Sequence, residues 1–88
     1  MTAPKIKVYT SAFCGYCGRA KALLSRKGAV FSEIDISMDA AKRAEMVQRT
    51  GGRMSVPQVF IGDKHIGGFE ELERLEREGR LDALLKSA

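Results

Sequence analysis

Two cysteines sit three residues apart in FCGYCGRAKALL, residues 13–24, and the chain has no others. Such a pair can ligate a metal, clip the backbone, or exchange electrons through its sulfurs. A structural zinc site needs four ligands, so one CxxC leaves two to be found. These would have to include His65, the only histidine, with a carboxylate or a second subunit. Two cysteines are also too few for a secreted disulfide framework. The spacing therefore leans towards thiol redox chemistry. Cysteines also serve as small buried apolar residues, but a pair flanking Gly–Tyr at a strand-to-helix turn argues against that.

Helical spacing in YCGRAKALLSRKG places Cys14 at a helix N-terminus, where unpaired N–H groups and the helix dipole favour an anion. That lowers a thiol pKa, and the thiolate is the attacking species. Arg19 and Lys21 can add positive potential. Cys14 is the expected exposed nucleophile. Cys17, one turn later on the same face, is close enough to attack a mixed disulfide on Cys14.

Two further stretches invite chemistry. In MSVPQVF, a proline at the entry to a core strand cannot donate to the ladder. A cis bend at Ser55–Val56–Pro57 accounts for it and leaves the backbone N–H and C=O of Val56 free for an extended partner. In IGGFEELERL, Gly67 and Gly68 allow close approach of a ligand, and the amides of the helix beginning near Phe69 can hold a carboxylate. Glu70 can meet an ammonium group. Blander readings, a strand-opening proline and a glycine turn followed by dipole-complementing acids, suffice for either stretch alone.

The surrounding pattern supplies the elements that must hold these residues. KIKVYT alternates as a strand. The cysteine helix follows, with Ala20, Leu23 and Leu24 inward and Gly28 as its stop. Residues 30–36 return to strand character with Ile34 and Ile36 on one face. DAAKRAEMVQRTGG is expected to be a helix striped by Ala40, Ala44 and Val47. VPQVFIGDKHIGG reads as two short strands around a turn at Gly62–Asp63. A last helix buries Leu72 and Leu75 and breaks at Gly79, before a brief turn or helix with Leu81, Leu84 and Leu85. The order β-α-β-α-β-β-α implies a right-handed parallel β-α-β unit followed by an antiparallel hairpin. The expected fold is α/β, a four-stranded mixed sheet flanked by helices, forming one domain over residues 1–88. Phe31 and Phe60 are assigned to the core, Met38, Met46 and Met54 to core or near-site packing, and Phe13 to shielding the nucleophile. His65 is expected as an ordinary side chain on the fourth strand.

Composition narrows the partners. The 88 residues carry fifteen basic and eleven acidic side chains, a net charge of +4, interleaved rather than gathered into a stripe. That argues against nucleic acid but suits a small anionic substrate. No run approaches the roughly 18 apolar residues that cross a membrane. MTAPKIKVYT lacks the apolar core of a secretory signal, so a cytoplasmic, reducing location is expected.

With these pieces in order, the chain resembles a glutaredoxin, a small thioredoxin-like fold, from about Lys5 to Leu85. CGYC resembles the family's CPYC, SVP its TVP, and GGFEE its GG-Cys-Asp-Asp. The resemblance implies a monomer that uses glutathione to reduce glutathionylated and disulfide-bonded proteins. Carried over by position, Cys14 is the nucleophile and Cys17 the resolving thiol. Tyr16 flanks the bound tripeptide, and Ser55, Val56 and Pro57 line its cysteinyl part. Gly68, Phe69 and Glu70 hold the γ-glutamyl end. Three departures stand out. Gly15 replaces proline, Phe69 replaces a small residue or cysteine, and Ser11 replaces a lysine near the glycyl carboxylate. Arg49 or Arg53 is the candidate substitute cation. Some glutaredoxins with a small residue where Gly15 stands carry a [2Fe–2S] cluster between two subunits, held by the nucleophilic cysteine, here Cys14, and glutathione. That is an alternative reading, as is a thioredoxin-like reductant served by a flavin reductase.

Overall fold

A computed structural model describes residues 4–86. Its elements run β1 (Ile6–Thr10), α1 (Gly15–Arg26), β2 (Ser32–Asp35), α2 (Ala40–Arg49), β3 (Gln58–Ile61), β4 (Lys64–Gly67), α3 (Phe69–Arg77) and α4 (Leu81–Lys86). One sheet holds all four strands in the order β2-β1-β3-β4. β1 and β2 are parallel, with Tyr9 opposite Ile34. β3 pairs antiparallel with β1, Val8 opposite Val59, and β4 closes the hairpin beside β3. This is the mixed sheet that the element order implies.

Alternation along β1 divides the interior. Ile6 and Val8 turn to one face, joining Ala20, Leu23 and Leu24 of α1, Val59 and Ile61 of β3, Leu72 of α3 and Leu81 of α4. Tyr9 turns to the other face, with Ile36, Phe60 and Met46 of α2. Helices thus cover both sides, and β1 is buried between them. α1 ends where Gly28 adopts φ +74°, a left-handed conformation that glycine takes without a Cβ clash.

Several packing expectations change. The second strand starts at Ser32, where pairing with Lys7 begins, and Val30 before it is exposed. Ala40 and Ala44 lie on the solvent side of α2, while Met46 is fully buried and Val47 partly so. Burying one long thioether side chain removes far more apolar surface from water than two methyl groups, so Met46 sets the helix's rotation. Met38 and Met54 are exposed, and Phe13, at φ +58°, is fully exposed and shields nothing. Phe60 is core, and Phe31 packs at its margin.

Candidate active site

The site forms where β1 ends. Ala12 N–H donates to Ser37 Oγ (2.6 Å), holding the turn against the loop after β2. Phe13 takes its left-handed turn, and Cys14 follows in extended conformation (φ −110°, ψ 105°) as the N-cap of α1. The Cys17 backbone N–H donates to Cys14 Sγ at 3.1 Å. The sulfur thus occupies the place of a capping oxygen, at the positive end of the helix, an environment that favours the thiolate.

Cys14 and Cys17 are joined as a disulfide, with Cα atoms 5.3 Å apart. Cys14 is partly exposed, whereas Cys17 retains only 3% of its surface. An incoming sulfur can therefore reach the first and not the second. Of the two cations nominated to assist, Lys21 is engaged 3.0 Å from Glu33. Arg19 lies over the Tyr16 ring, 5.3 Å from its centroid.

Opposite Cys14 runs the segment before β3. The Val56–Pro57 peptide is cis, and the Val56 carbonyl oxygen lies 3.7 Å from Cys14 Sγ. Gln58, fully buried, donates from Nε2 to the Ser55 carbonyl (2.9 Å) and to Ser55 Oγ (3.3 Å). The Thr50 hydroxyl accepts from Arg53 N–H at 3.1 Å and so ties the approach loop to the end of α2.

The third wall is the start of α3. Gly67 takes φ +118°, and a Cβ there would run into the Glu71 carboxylate, so glycine is required on two counts. Glu71 Oε1 accepts the Gly68 N–H at 2.7 Å, closing the helix end as the third residue of a capping box does. The same oxygen meets Arg53 Nη1 at 3.0 Å. These two bonds, the backbone one foremost, hold the Glu71 carboxyl below its ordinary range despite partial burial.

Between these walls lies a groove of about 310 Å³, lined by Tyr16, Arg53, Ser55, Val56, Pro57, Gly68, Phe69, Glu70 and Glu71. The Tyr16 and Phe69 rings face each other across it, 6.0 Å apart. A larger hollow of about 730 Å³ opens at the other end of the sheet, among Lys5, Lys27, Phe31 and Leu85. Neither hollow is lined by a cysteine, but the smaller one includes Val56, whose carbonyl lies against Cys14 Sγ, so it is the one beside the reactive pair.

Of the glutathione-contact candidates, the groove gathers Tyr16, Arg53, Ser55, Val56, Pro57, Gly68, Phe69 and Glu70, but not Arg49. That side chain lies instead over the Phe60 ring (4.4 Å) and donates to the Tyr9 hydroxyl (3.4 Å). As the last residue of α2, it is directed to the Tyr9–Phe60 face of the sheet, and Arg53 is the cation in the groove. Glu71 escaped the sequence reading, which chose Glu70. The signal was available, because a helix capped at Gly68 places Glu71, not Glu70, at the third position. His65 stands half-buried on β4, as expected, stacked on Phe60 with centroids 4.9 Å apart.

Comparison with known proteins agrees with this geometry. The glutaredoxin family model matches residues 6–66. Glutaredoxin 3 of Escherichia coli is 53% identical over 81 residues, covering 92% of this chain and 96% of the relative. The solution structure of a glutaredoxin from Brucella melitensis superimposes with a TM-score of 0.85 at 52% identity, covering 98% of this chain and 92% of that one. A buckwheat glutaredoxin–glutathione complex gives a TM-score of 0.83 at 37% identity, covering 94% and 76%.

Proposed function

The chain belongs to the glutaredoxin family, and from that premise we propose that it is a glutathione-dependent thiol–disulfide oxidoreductase acting through Cys14 and Cys17. The observation that carries this reading is one exposed sulfur at a helix N-terminus, with a second, buried sulfur behind it and a peptide-sized groove beside it.

In the reduced enzyme, the Cys14 thiolate attacks the glutathione sulfur of a protein–glutathione disulfide. A Cys14–glutathione disulfide forms, and the protein leaves as a thiolate that takes up a proton. A second glutathione thiolate then attacks the bound glutathione sulfur, forming glutathione disulfide and releasing Cys14 as the thiolate. Both displacements pass through a sulfur whose negative charge the Cys17 N–H and the helix end stabilise. With a disulfide-bonded protein, Cys14 forms the mixed disulfide and Cys17 resolves it, leaving the Cys14–Cys17 disulfide for glutathione to reduce.

The groove suits an anionic tripeptide. Val56 offers a backbone edge next to Cys14, and the first turn of α3, after the Gly68 cap, offers the amides of Phe69 and Glu70 to the γ-glutamyl carboxylate. Glu70 faces the ammonium group, and Tyr16 covers the chain. Arg53 supplies the positive charge that Ser11 does not. Glutathione binding in the buckwheat relative supports this assignment. No helix among the described residues is long and apolar enough to cross a membrane, and the working reading is a monomer in the cytoplasm.

Glutathione-coupled reduction of a glutathione mixed disulfide tests the proposal. Cys14→Ser should abolish turnover, and Cys17→Ser should retain it while losing reduction of protein disulfides. An inactive wild type, or turnover that survives Cys14→Ser, would refute it.

A further inference from the structure

Gln58 places an amide in a part of the core otherwise made of Tyr9, Phe60 and their apolar neighbours, with no exposed surface. A buried amide must have its donors and acceptor satisfied or it destabilises the fold. Both contacts to Ser55, the carbonyl at 2.9 Å and Oγ at 3.3 Å, are made by Nε2. The amide oxygen therefore points the other way, and there it meets His65 Nε2 at 2.8 Å. An amide oxygen can only accept, so His65 must present Nε2–H. Burial, and then the nearby Arg53 charge, push the His65 pKa down, so the ring that donates is the neutral tautomer with Nδ1 bare.

Were the Gln58 amide reversed, its oxygen would face the Ser55 carbonyl and repel it. The His65 proton thus selects the orientation in which Gln58 grips Ser55. Ser55 immediately precedes Val56, the residue whose carbonyl lies 3.7 Å from Cys14 Sγ. The ring itself is held by stacking on Phe60.

We propose that His65 and Gln58 are positioning residues for the segment beside Cys14: His65 Nε2–H fixes the Gln58 amide, which fixes Ser55 and with it the peptide edge at Val56. The inference rests on the oxidoreductase reading for what Val56 binds, but not for the hydrogen-bond chain itself. Neither residue touches the reacting sulfurs, so the expected effect is on binding rather than on Cys14 reactivity.

Two substitutions separate the hydrogen bond from packing. His65→Phe keeps a ring against Phe60 and removes the donor. His65→Gln loses the ring and restores an N–H at nearly the reach of Nε2. We expect His65→Phe to raise KM for a glutathione mixed disulfide by roughly three- to ten-fold, the scale of one lost hydrogen bond. kcat and the rate of Cys14 alkylation by iodoacetamide should stay within about twofold, and His65→Gln should return KM close to wild type. Unchanged KM in His65→Phe, an equal rise in both variants, or a matching fall in alkylation rate would overturn the proposal. Two readouts need no turnover and stand even if the oxidoreductase reading fails, and the first needs no variant. Nitrogen NMR of the wild-type His65 ring should show Nε2 protonated and Nδ1 bare, and the opposite tautomer would refute the chain. In glutathione-free protein, the Ser55 and Val56 amide signals should move in His65→Phe and not in His65→Gln.

Discussion

Glu71 gives the sharpest test of how the groove's third wall is built. Its Oε1 is shared between the Gly68 N–H at 2.7 Å and Arg53 Nη1 at 3.0 Å. Removing it in Glu71→Ala leaves the N-cap amide of α3 and the guanidinium without that acceptor. Loss of a helix cap costs typically ~1 kcal/mol, and a hydrogen bond to a charged acceptor about 1.5–3 kcal/mol. The ion pair adds little, roughly 0.2–1 kcal/mol, because both side chains keep a third or more of their surface in water. We expect Glu71→Ala to destabilise by about 2 kcal/mol in urea titrations followed by circular dichroism. At about 4–8 °C per kcal/mol for a domain of this size, Tm should fall by roughly 10 °C. Glu71→Gln keeps an acceptor of the same reach and should cost less than about 1 kcal/mol. Equal losses in the two variants, or no loss in Glu71→Ala, would refute the capping argument.

The same carboxylate sets a pH signature. Its folded pKa lies below the ordinary 4.5, through the Gly68 N–H bond first and the Arg53 bond after it. Its stabilisation is therefore complete above the ordinary value and lost as pH falls through the lowered one. Stability curves of wild type and Glu71→Gln should converge on acidification, and a gap that widens instead would contradict that sign. Gly15 is the first residue of α1, is not left-handed, and has open space where a Cβ would stand. Cys14 before it is extended, as a residue preceding proline prefers. Gly15→Pro should accordingly raise stability by about 0.4–1 kcal/mol in urea titration, and a loss would mean the first turn needs the glycine. Met46→Ala, emptying a fully buried site between Tyr9, Ile36 and Phe60, should cost about 2–5 kcal/mol. Met38→Ala, at an exposed position, should stay within about 0.5 kcal/mol in the same titration.

The contrast between Met46 and Met38 also explains which parts of the fold could be read from sequence. Strand alternation in KIKVYT and the Ala20–Leu23–Leu24 stripe are local patterns with one sensible interior, and both were buried as expected. α2 offered two competing faces, and the choice depended on which one met the Tyr9–Phe60 side of a sheet assembled from distant strands. No local period carries that information. At the site, Cys14, Cys17, the cis bend at Val56–Pro57 and the Gly67–Gly68 pair announced themselves because each violates what an ordinary strand or helix would contain. Arg49 and Arg53 could not be separated, since the loop between them turns through Gly51 and Gly52 at φ +72° and +106°. Glu71 was overlooked for a different reason. The helix start near Phe69 was legible, but Glu70 and Glu71 are adjacent carboxylates, and only counting from the Gly68 cap singles out the second.

The site, sulfurs and groove together, is assembled from three stretches far apart in the chain: residues 14–17, 53–57 and 68–71. This imposes an order in time during synthesis. The sulfur pair emerges with β1, α1 and β2, when β1 still has an open edge awaiting β3. Val56 and its supporting strand come later, and the first turn of α3 later still. A nascent chain therefore carries its reactive sulfurs before it carries the means to choose their partner. Discrimination is the last property the polypeptide acquires, and it arrives only when α3 docks.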